Sequence, residues 1–304
     1  MRLSDLAPAQ VRARCHGGGL RFRTGEFSIC LQTRLASVID AVALLYAQFP
    51  LLDDDAYIDF PIVLERPRNV RRWWRPQVRF LVDGHAPFQP LPLDQAYPMF
   101  EWGLNWCVSA HAHGYLMIHA AVVEKNGRAA ILPAPPGSGK STLCAALVAR
   151  GWRLLSDELT LVRLSDGALV ALARPISLKN QSIALIRQFQ PGVVASRPVF
   201  ETQKGTLAHV RPPPASVANA GQTCRAAWIV FPRYEAGAPA QLAPLTRARA
   251  FMRVADNCFN YSLLGARGFD VLGELIDSAH CYDFSYSTLD AAVGAIEQLA
   301  QAQP

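Results

Sequence analysis

The residues of this 304-residue chain that could do chemistry are concentrated between positions 119 and 158. The string APPGSGKST occupies positions 134–142. It matches the phosphate-loop pattern G-x-x-x-x-G-K-[ST] at every defined position except the first, where Ala134 stands for glycine. Gly137 and Gly139 let backbone N–H groups turn inward around an anion that a Cβ would obstruct. A helix starting at Lys140 would add partial positive charge at the same place. The candidate nucleotide-binding residues are therefore Pro136, Gly137, Ser138, Gly139, Lys140, Ser141 and Thr142. In this reading Lys140 reaches the β- and γ-oxygens, Ser141 ligates Mg²⁺ and Thr142 begins the helix. An alanine forced to positive φ at position 134 would cost ~1 kcal/mol. A chance turn of small residues would give a similar string. The strand expected before it and the helix expected after it favour triphosphate binding.

Seventeen residues after Lys140 come Asp157 and Glu158, in LLSDEL. A helix of about ten residues and a short strand return the chain toward the same carboxyl edge as the loop. Two adjacent carboxylates there can divide the work: one accepts a proton from an attacking hydroxyl and the other holds Mg²⁺. Ser-Asp-Glu is also ordinary turn chemistry. Upstream, His119 lies in LMIHAAVV. A lone histidine in an apolar strand is commonly a core residue, but this strand should pair with the one that feeds the loop.

The elements that would position these groups read as follows. Apolar alternation and a Thr24-Gly25 turn predict a hairpin over 20–32. A helix is expected at 35–48 and strands at 56–64 and 77–82, with a helical spacing over 94–111. Strands are expected at 116–123 and 129–132, a helix at 140–150, and strands at 152–155, 159–164 and 168–172. Further on come a helix at 182–189, a loop-rich stretch over 190–222 and a strand at 226–232. Helices at 246–257, 269–278 and 288–300 and a strand at 280–286 complete the chain. The pattern predicts an α/β fold with α+β character, divided into a small α+β N-terminal domain (1–93) and a catalytic domain (94–304). Gly17–Gly19 precedes a strand, not a helix, and reads as a flexible lead-in.

The run HAAVVEKNGRAAILPAPPGSGKSTLCAALVARGWRLLSDE, from His119 to Glu158, resembles the catalytic core of HPr kinase/phosphorylase and its related kinases. The likeness covers about forty residues strongly and 95–300 loosely. It implies a P-loop kinase domain like the HPr kinase C-terminal domain, related to the nucleotide domain of phosphoenolpyruvate carboxykinase. It also implies Mg²⁺ and ATP as cofactors and transfer to a serine hydroxyl. By position, Asp157 resembles the family's catalytic base, Glu158 its acidic neighbour and His119 the histidine near the phosphate, with Lys140 completing the catalytic set. Glu158 stands where the family has a second aspartate. The family's second signature is echoed by Glu201 and Lys204-Gly205, in FETQKGTLAHVRPP beginning at Phe200.

Other charges are candidates on weaker grounds. Lys204, His209 and Arg211 could close over phosphate in a transition state, and Arg174, Lys179 and Arg253 could meet anions. RPRNVRRWWRP, at 66–76, could stack on bases, although a surface turn with cation–π pairs accounts for the same residues.

Composition sets the outer bounds. With 51% hydrophobic and 18% charged residues, the chain can bury a sizeable core and does not read as disordered. The net charge of +6 suits nucleic acid, ATP or an acidic protein alike. Seven scattered cysteines without a C-x-x-C pair argue against a disulfide framework or zinc site and suit a reducing cytosol. No signal-peptide pattern or apolar run of ~20 residues is seen, so no membrane partner is expected. The expectation is a cytoplasmic Mg-ATP-dependent kinase acting on a protein or peptide hydroxyl, with homo-oligomerisation left open. A small-molecule kinase and a non-catalytic nucleotide sensor share the same motifs, whereas nucleic acid is not an expected partner, because the Arg/Trp run stands alone and no second strand ends in the usual aspartate for hydrolysis.

Overall fold

Strict alternation of buried and half-exposed positions along FPIVLE and QVRFLV marks two strands with one face inward. In the computed structural model, which describes residues 1–302, they belong to a five-stranded N-terminal sheet. The elements here are α1 (Pro8–His16), β1 (Leu20–Thr24), β2 (Phe27–Thr33), α2 (Ala36–Leu45), β3 (Phe60–Glu65), β4 (Gln77–Val82), β5 (Leu91–Pro92) and α3 (Ala96–His111). The strand order is β1-β2-β3-β4-β5. The core under this sheet takes in Phe22, Ile62 and Phe80 together with Phe100 and Leu104 of α3.

Helix α3 approaches β4 closely because Gly103 has no side chain. A Cβ there would lie 2.1 Å from the Phe80 ring. Gly103→Ala is expected to destabilise the protein by about 1–3 kcal/mol through overpacking. Urea denaturation checks this, and an unchanged midpoint would show that the ring moves aside freely.

The chain continues through β6 (Tyr115–Ile118), β7 (Ala120–Lys125), β8 (Arg128–Pro133), α4 (Lys140–Ala149), β9 (Arg153–Ser156), β10 (Thr160–Arg163), β11 (Leu169–Val170), β12 (Ile176–Lys179) and α5 (Gln181–Phe189). Then come β13 (Val199–Thr202), β14 (Gly205–Val210), α6 (Pro214–Ala218), β15 (Arg225–Tyr234), β16 (Gln241–Pro244), α7 (Arg247–Asp256), α8 (Tyr261–Ser278), β17 (His280–Tyr286) and α9 (Leu289–Ala302). A six-stranded sheet of order β16-β17-β15-β8-β7-β9 forms the centre. Strand β15 is parallel to both β8 and β17 and is buried on both faces over Ala226–Pro232, as a strand covered on two sides must be. Along β7 and β8, Ala121, Val123, Ala130 and Leu132 face a core containing residues of α4 and α9. Ala120, Val122, Ala129 and Ile131 face a core containing residues of α7 and α8. The molecule is therefore a mixed α/β structure. Two three-stranded sheets, β11-β10-β6 and β12-β14-β13, flank the central one.

Several elements differ from expectation. The strand expected over 116–123 breaks at His119, whose N–H donates to Asn257 O at 2.7 Å instead of continuing a ladder. The stretch 190–222 holds the β13–β14 hairpin and α6. Its short runs carry too few apolar positions to show a period. The triple glycine caps α1: Gly17 N–H donates to Ala13 O at 3.0 Å and Gly19 N–H to Arg14 O at 2.9 Å, with Gly19 at φ 99°. It is thus a helix stop, not a free lead-in. Helix α8 starts at Tyr261, eight residues before the expected start, and kinks at Gly265 (φ 56°). The Arg/Trp run forms the β3–β4 connection, with Val70, Trp73 and Trp74 exposed. Among the described residues no helix is long and apolar enough to cross a membrane.

Candidate functional site

Strand β8 ends at Pro133, in the middle of the central sheet, and the glycine-rich loop carries the chain into α4. Within the loop Gly137 and Gly139 take positive φ, 88° and 91°, and Ala134 does not. The strain expected of an alanine at the first position therefore does not arise. Ala134 is instead 2% exposed, a place for a small side chain. Gly139 is required twice over. Besides its φ, a Cβ would lie 2.4 Å from the Tyr286 hydroxyl, which donates to Gly139 O at 3.2 Å. Tyr234 N–H also holds the loop, donating to Ser138 O at 3.0 Å. No side chain caps the first N–H groups of α4, and the buried Ser138 Oγ has no partner. The loop thus presents unsatisfied donors at a positive helix end, as an anion site does.

Asp157 and Glu158 form the corner where β9 leaves the central sheet and β10 enters a flanking one. His119 is the matching corner between β6 and β7. Ile118 pairs with Thr160 and Val122 with Ser156, which sets the two corners opposite each other. His119 Nε2 accordingly donates to Glu158 Oε2 at 3.2 Å, and its ring packs against Phe259.

The two carboxyls differ in environment. Asp157 is 4% exposed. Its Oδ2 accepts from Ser177 N–H at 3.0 Å, and its Oδ1 has no partner. Burial raises its pKa and Glu158 raises it further, against the smaller lowering influences of Lys140, Ser141 and Ser177 N–H. Burial also acts to raise the pKa of Glu158, but His119, Lys140 and Lys179 outweigh it and the net direction is down. The pair is thereby split into a carboxyl tuned toward neutral pH and one held ionised. Lys140, in the first turn of α4, is buried and its charge acts on both. Ser141 influences Asp157, whereas the sequence reading grouped it with Glu158 around a metal.

The weaker candidates separate on inspection. Lys179 ends β12 and lowers the Glu158 pKa. Lys204, in the β13–β14 turn, lies 5.2 Å from the Trp102 ring, and burial lowers its own pKa. His209 is buried in β14, edge-on to Tyr97 at 5.1 Å. Burial lowers its pKa and keeps the ring neutral, and its Nε2 has no partner. Arg174 is held in a buried network: Nη2 donates to Glu101 Oε2 at 2.6 Å and Nη1 to Asn105 Oδ1 at 2.8 Å. Tyr46 and Tyr97 hydroxyls donate to Glu101 Oε1 at 2.8 and 2.5 Å. Arg253 lies elsewhere, paired with Asp283 and 3.8 Å from the Phe231 ring. Arg211 is half-buried, and its N–H donates to Val194 O. Trp102, Ser177 and Tyr286 are members of the site that carry no local sequence signal. A narrow cleft lined by Trp102, Asp157, Glu158, Arg174, Ser177 and His209 lies between α3 and the acidic corner.

Comparison with known proteins bears on this same region. A family model described as SynChlorMet cassette protein ScmC matches residues 99–177, less than half of the chain. No curated protein matches. Among solved structures, the chain is similar to the Hpr(Ser) kinase/phosphatase from Coxiella burnetii, at 12% identity over 61% of this chain and 94% of that one, with a TM-score of 0.28.

Proposed function

We propose that the protein binds Mg-ATP at the loop and transfers the γ-phosphoryl group to a serine-type hydroxyl of a protein or peptide. The observation that carries this reading is geometric: the Asp157–Glu158 corner faces the His119 corner, with Glu158 hydrogen-bonded to His119 and Asp157 and Lys140 both buried. Asp157, tuned upward, suits a general base at neutral pH, and Glu158, held ionised, suits a cation. The triphosphate fits the unsatisfied amides of α4, Ser138 Oγ and Lys140. Among the described residues no group of three or more His, Cys, Asp or Glu could hold a metal by itself. That suits Mg²⁺ arriving with the phosphates and taking oxygens from Ser141 and one carboxylate. When bound, Mg²⁺ neutralises phosphate charge.

Asp157 Oδ1 accepts the proton of the acceptor hydroxyl as the acceptor oxygen bonds to the γ-phosphorus. The bond between that phosphorus and the β–γ bridging oxygen breaks, and its electrons leave with the diphosphate. Lys140 offsets the charge moving onto that leaving group. His119 fixes Glu158 through their hydrogen bond. All seven cysteines are free, which suits a reducing compartment.

The test is incubation with γ-labelled ATP, Mg²⁺ and a library of seryl peptides. Label on serine is the expected result. Tight ATP binding with no labelled acceptor would reduce the protein to a nucleotide-binding module.

A further inference from the structure

The Arg/Trp run between β3 and β4 is not among the residues of the site described above, and it concentrates both charge and apolar surface. Residues 66–76 hold five arginines and no acidic residue. Arg66, Arg68, Arg71 and Arg75 are exposed. Thr33 pairs with Leu64, so the exposed Arg34 sits at the same end of the sheet. Glu65, the nearest carboxylate along the chain, is already paired with Arg79. These six arginines match the whole net charge of +6, so the rest of the chain is neutral on balance. Asp53, Asp54 and Asp55 precede β3 and therefore lie toward its other end.

The apolar part is equally concentrated. A 3₁₀ turn spans Val70–Trp73. Residues three apart eclipse in such a turn, so Val70 and Trp73 share one side, and Trp74 follows directly. The three are 72%, 76% and 67% exposed, and none is part of the apolar cores of the described residues. The main chain here is bonded locally. Trp74 N–H donates to Arg71 O at 3.2 Å, Arg75 N–H to the same oxygen at 2.9 Å and Asn69 N–H to Pro67 O at 3.0 Å. A cluster of this kind, unlike a single exposed apolar residue, marks a contact surface.

We propose that this β3–β4 tip docks on an anionic lipid surface, with Val70, Trp73 and Trp74 entering the headgroup layer and the arginines pairing with lipid phosphates. Indole rings favour that layer. Arginine can bury its stem there while its head stays among phosphates. Such a contact needs no spanning segment. Two other polyanions fit less well. A nucleic-acid strand is held by phosphate contacts along an extended basic track, and the remainder of this chain carries no net positive charge to continue one. An acidic peptide would answer the guanidinium groups but offers the three apolar side chains no continuous apolar layer. The proposal does not depend on the phosphotransfer reading.

The full chain is mixed with vesicles of phosphatidylcholine alone, or of phosphatidylcholine and phosphatidylglycerol in equal parts, and followed by co-sedimentation and tryptophan emission. The anionic vesicles are expected to bind the protein at least about tenfold more tightly, to shift its emission to the blue and to release it as salt is raised. Trp73→Ala/Trp74→Ala is expected to lose the shift and roughly tenfold in affinity. Arg68→Gln/Arg71→Gln is expected to lose about 25-fold, at about fivefold per charge. All four replaced side chains are exposed, so both variants should melt with the parent. Absence of binding, or equal binding to both kinds of vesicle, overturns the proposal. So does undiminished binding by either folded double variant, which would place the contact elsewhere or reduce it to general charge attraction. Tighter capture by poly-glutamate or a single-stranded oligonucleotide, read as competition against the anionic vesicles, also overturns it, in favour of an acidic protein or a nucleic acid.

Discussion

Asp157→Asn should leave nucleotide binding within a few fold of the parent and lower phosphotransfer by about 10²–10⁴-fold, the usual share of a positioned base. Asparagine keeps the shape, and its side-chain oxygen can still accept from Ser177 N–H. What it cannot do is take a proton at the position of Oδ1. Folding should not suffer, and the sign can be followed explicitly. The folded pKa of Asp157 is raised, with burial the largest cause and Glu158 the next. Protonated Asp157 therefore contributes stability that is full at pH below the ordinary aspartate range. That contribution is lost as pH rises through the elevated folded value. At neutral pH the ionised side chain is the less favourable state, and a neutral asparagine removes that cost. The variant should melt no lower than the parent at pH 7.5. Unaltered turnover in a folded, ATP-binding Asp157→Asn protein would remove Asp157 from the role of base. A loss of both ATP binding and stability would mean that it is a structural carboxyl.

The parts of this site that could be read in the sequence lie close together in the chain. From His119 to Glu158, one hairpin, one loop and one helix suffice to bring the groups near each other. Their residue types, glycine at positive φ and paired carboxylates after a short strand, follow from local chemistry. The rest depends on topology. Tyr286 meets Gly139 across 147 positions, because β17 lies beside β15 and β15 beside β8. Ser177 reaches Asp157 through its main-chain N–H, and every non-proline residue carries that group. His209 and Arg211 look alike as basic residues on one run, yet only His209 lines the cleft. Two residues along a strand should share a face, but β14 ends at Val210, so that pattern no longer holds at Arg211. Much the same holds for the fold. Apolar alternation found the β1–β2 hairpin, while α1 went unread because its nine residues bury only Val11 and Cys15. Ala134 occupies the first position of the loop motif without backbone strain, because the chain there does not turn through positive φ.

The largest stability effect is expected at Arg174, where the N-terminal core meets the acidic corner. Arg174 and Glu101 are both buried and paired at 2.6 Å, and Tyr46 and Tyr97 direct their hydroxyls at the same carboxylate. A buried pair of this kind need not favour folding over an apolar alternative, but removing one partner strands the other charge. Arg174→Met keeps length and apolar volume and leaves Glu101 uncompensated, at an expected cost of about 3–5 kcal/mol by urea denaturation. Neutralising the stranded group should restore part of this. In Glu101→Gln/Arg174→Met, the glutamine carbonyl still accepts from the tyrosine hydroxyls, and no charge is left in the interior. The double variant should therefore be more stable than Arg174→Met alone, a non-additivity that a double-mutant cycle measures directly. If Arg174→Met costs less than about 1 kcal/mol, or if the two substitutions simply add, then water reaches the pair and the network is not the buried tie described here.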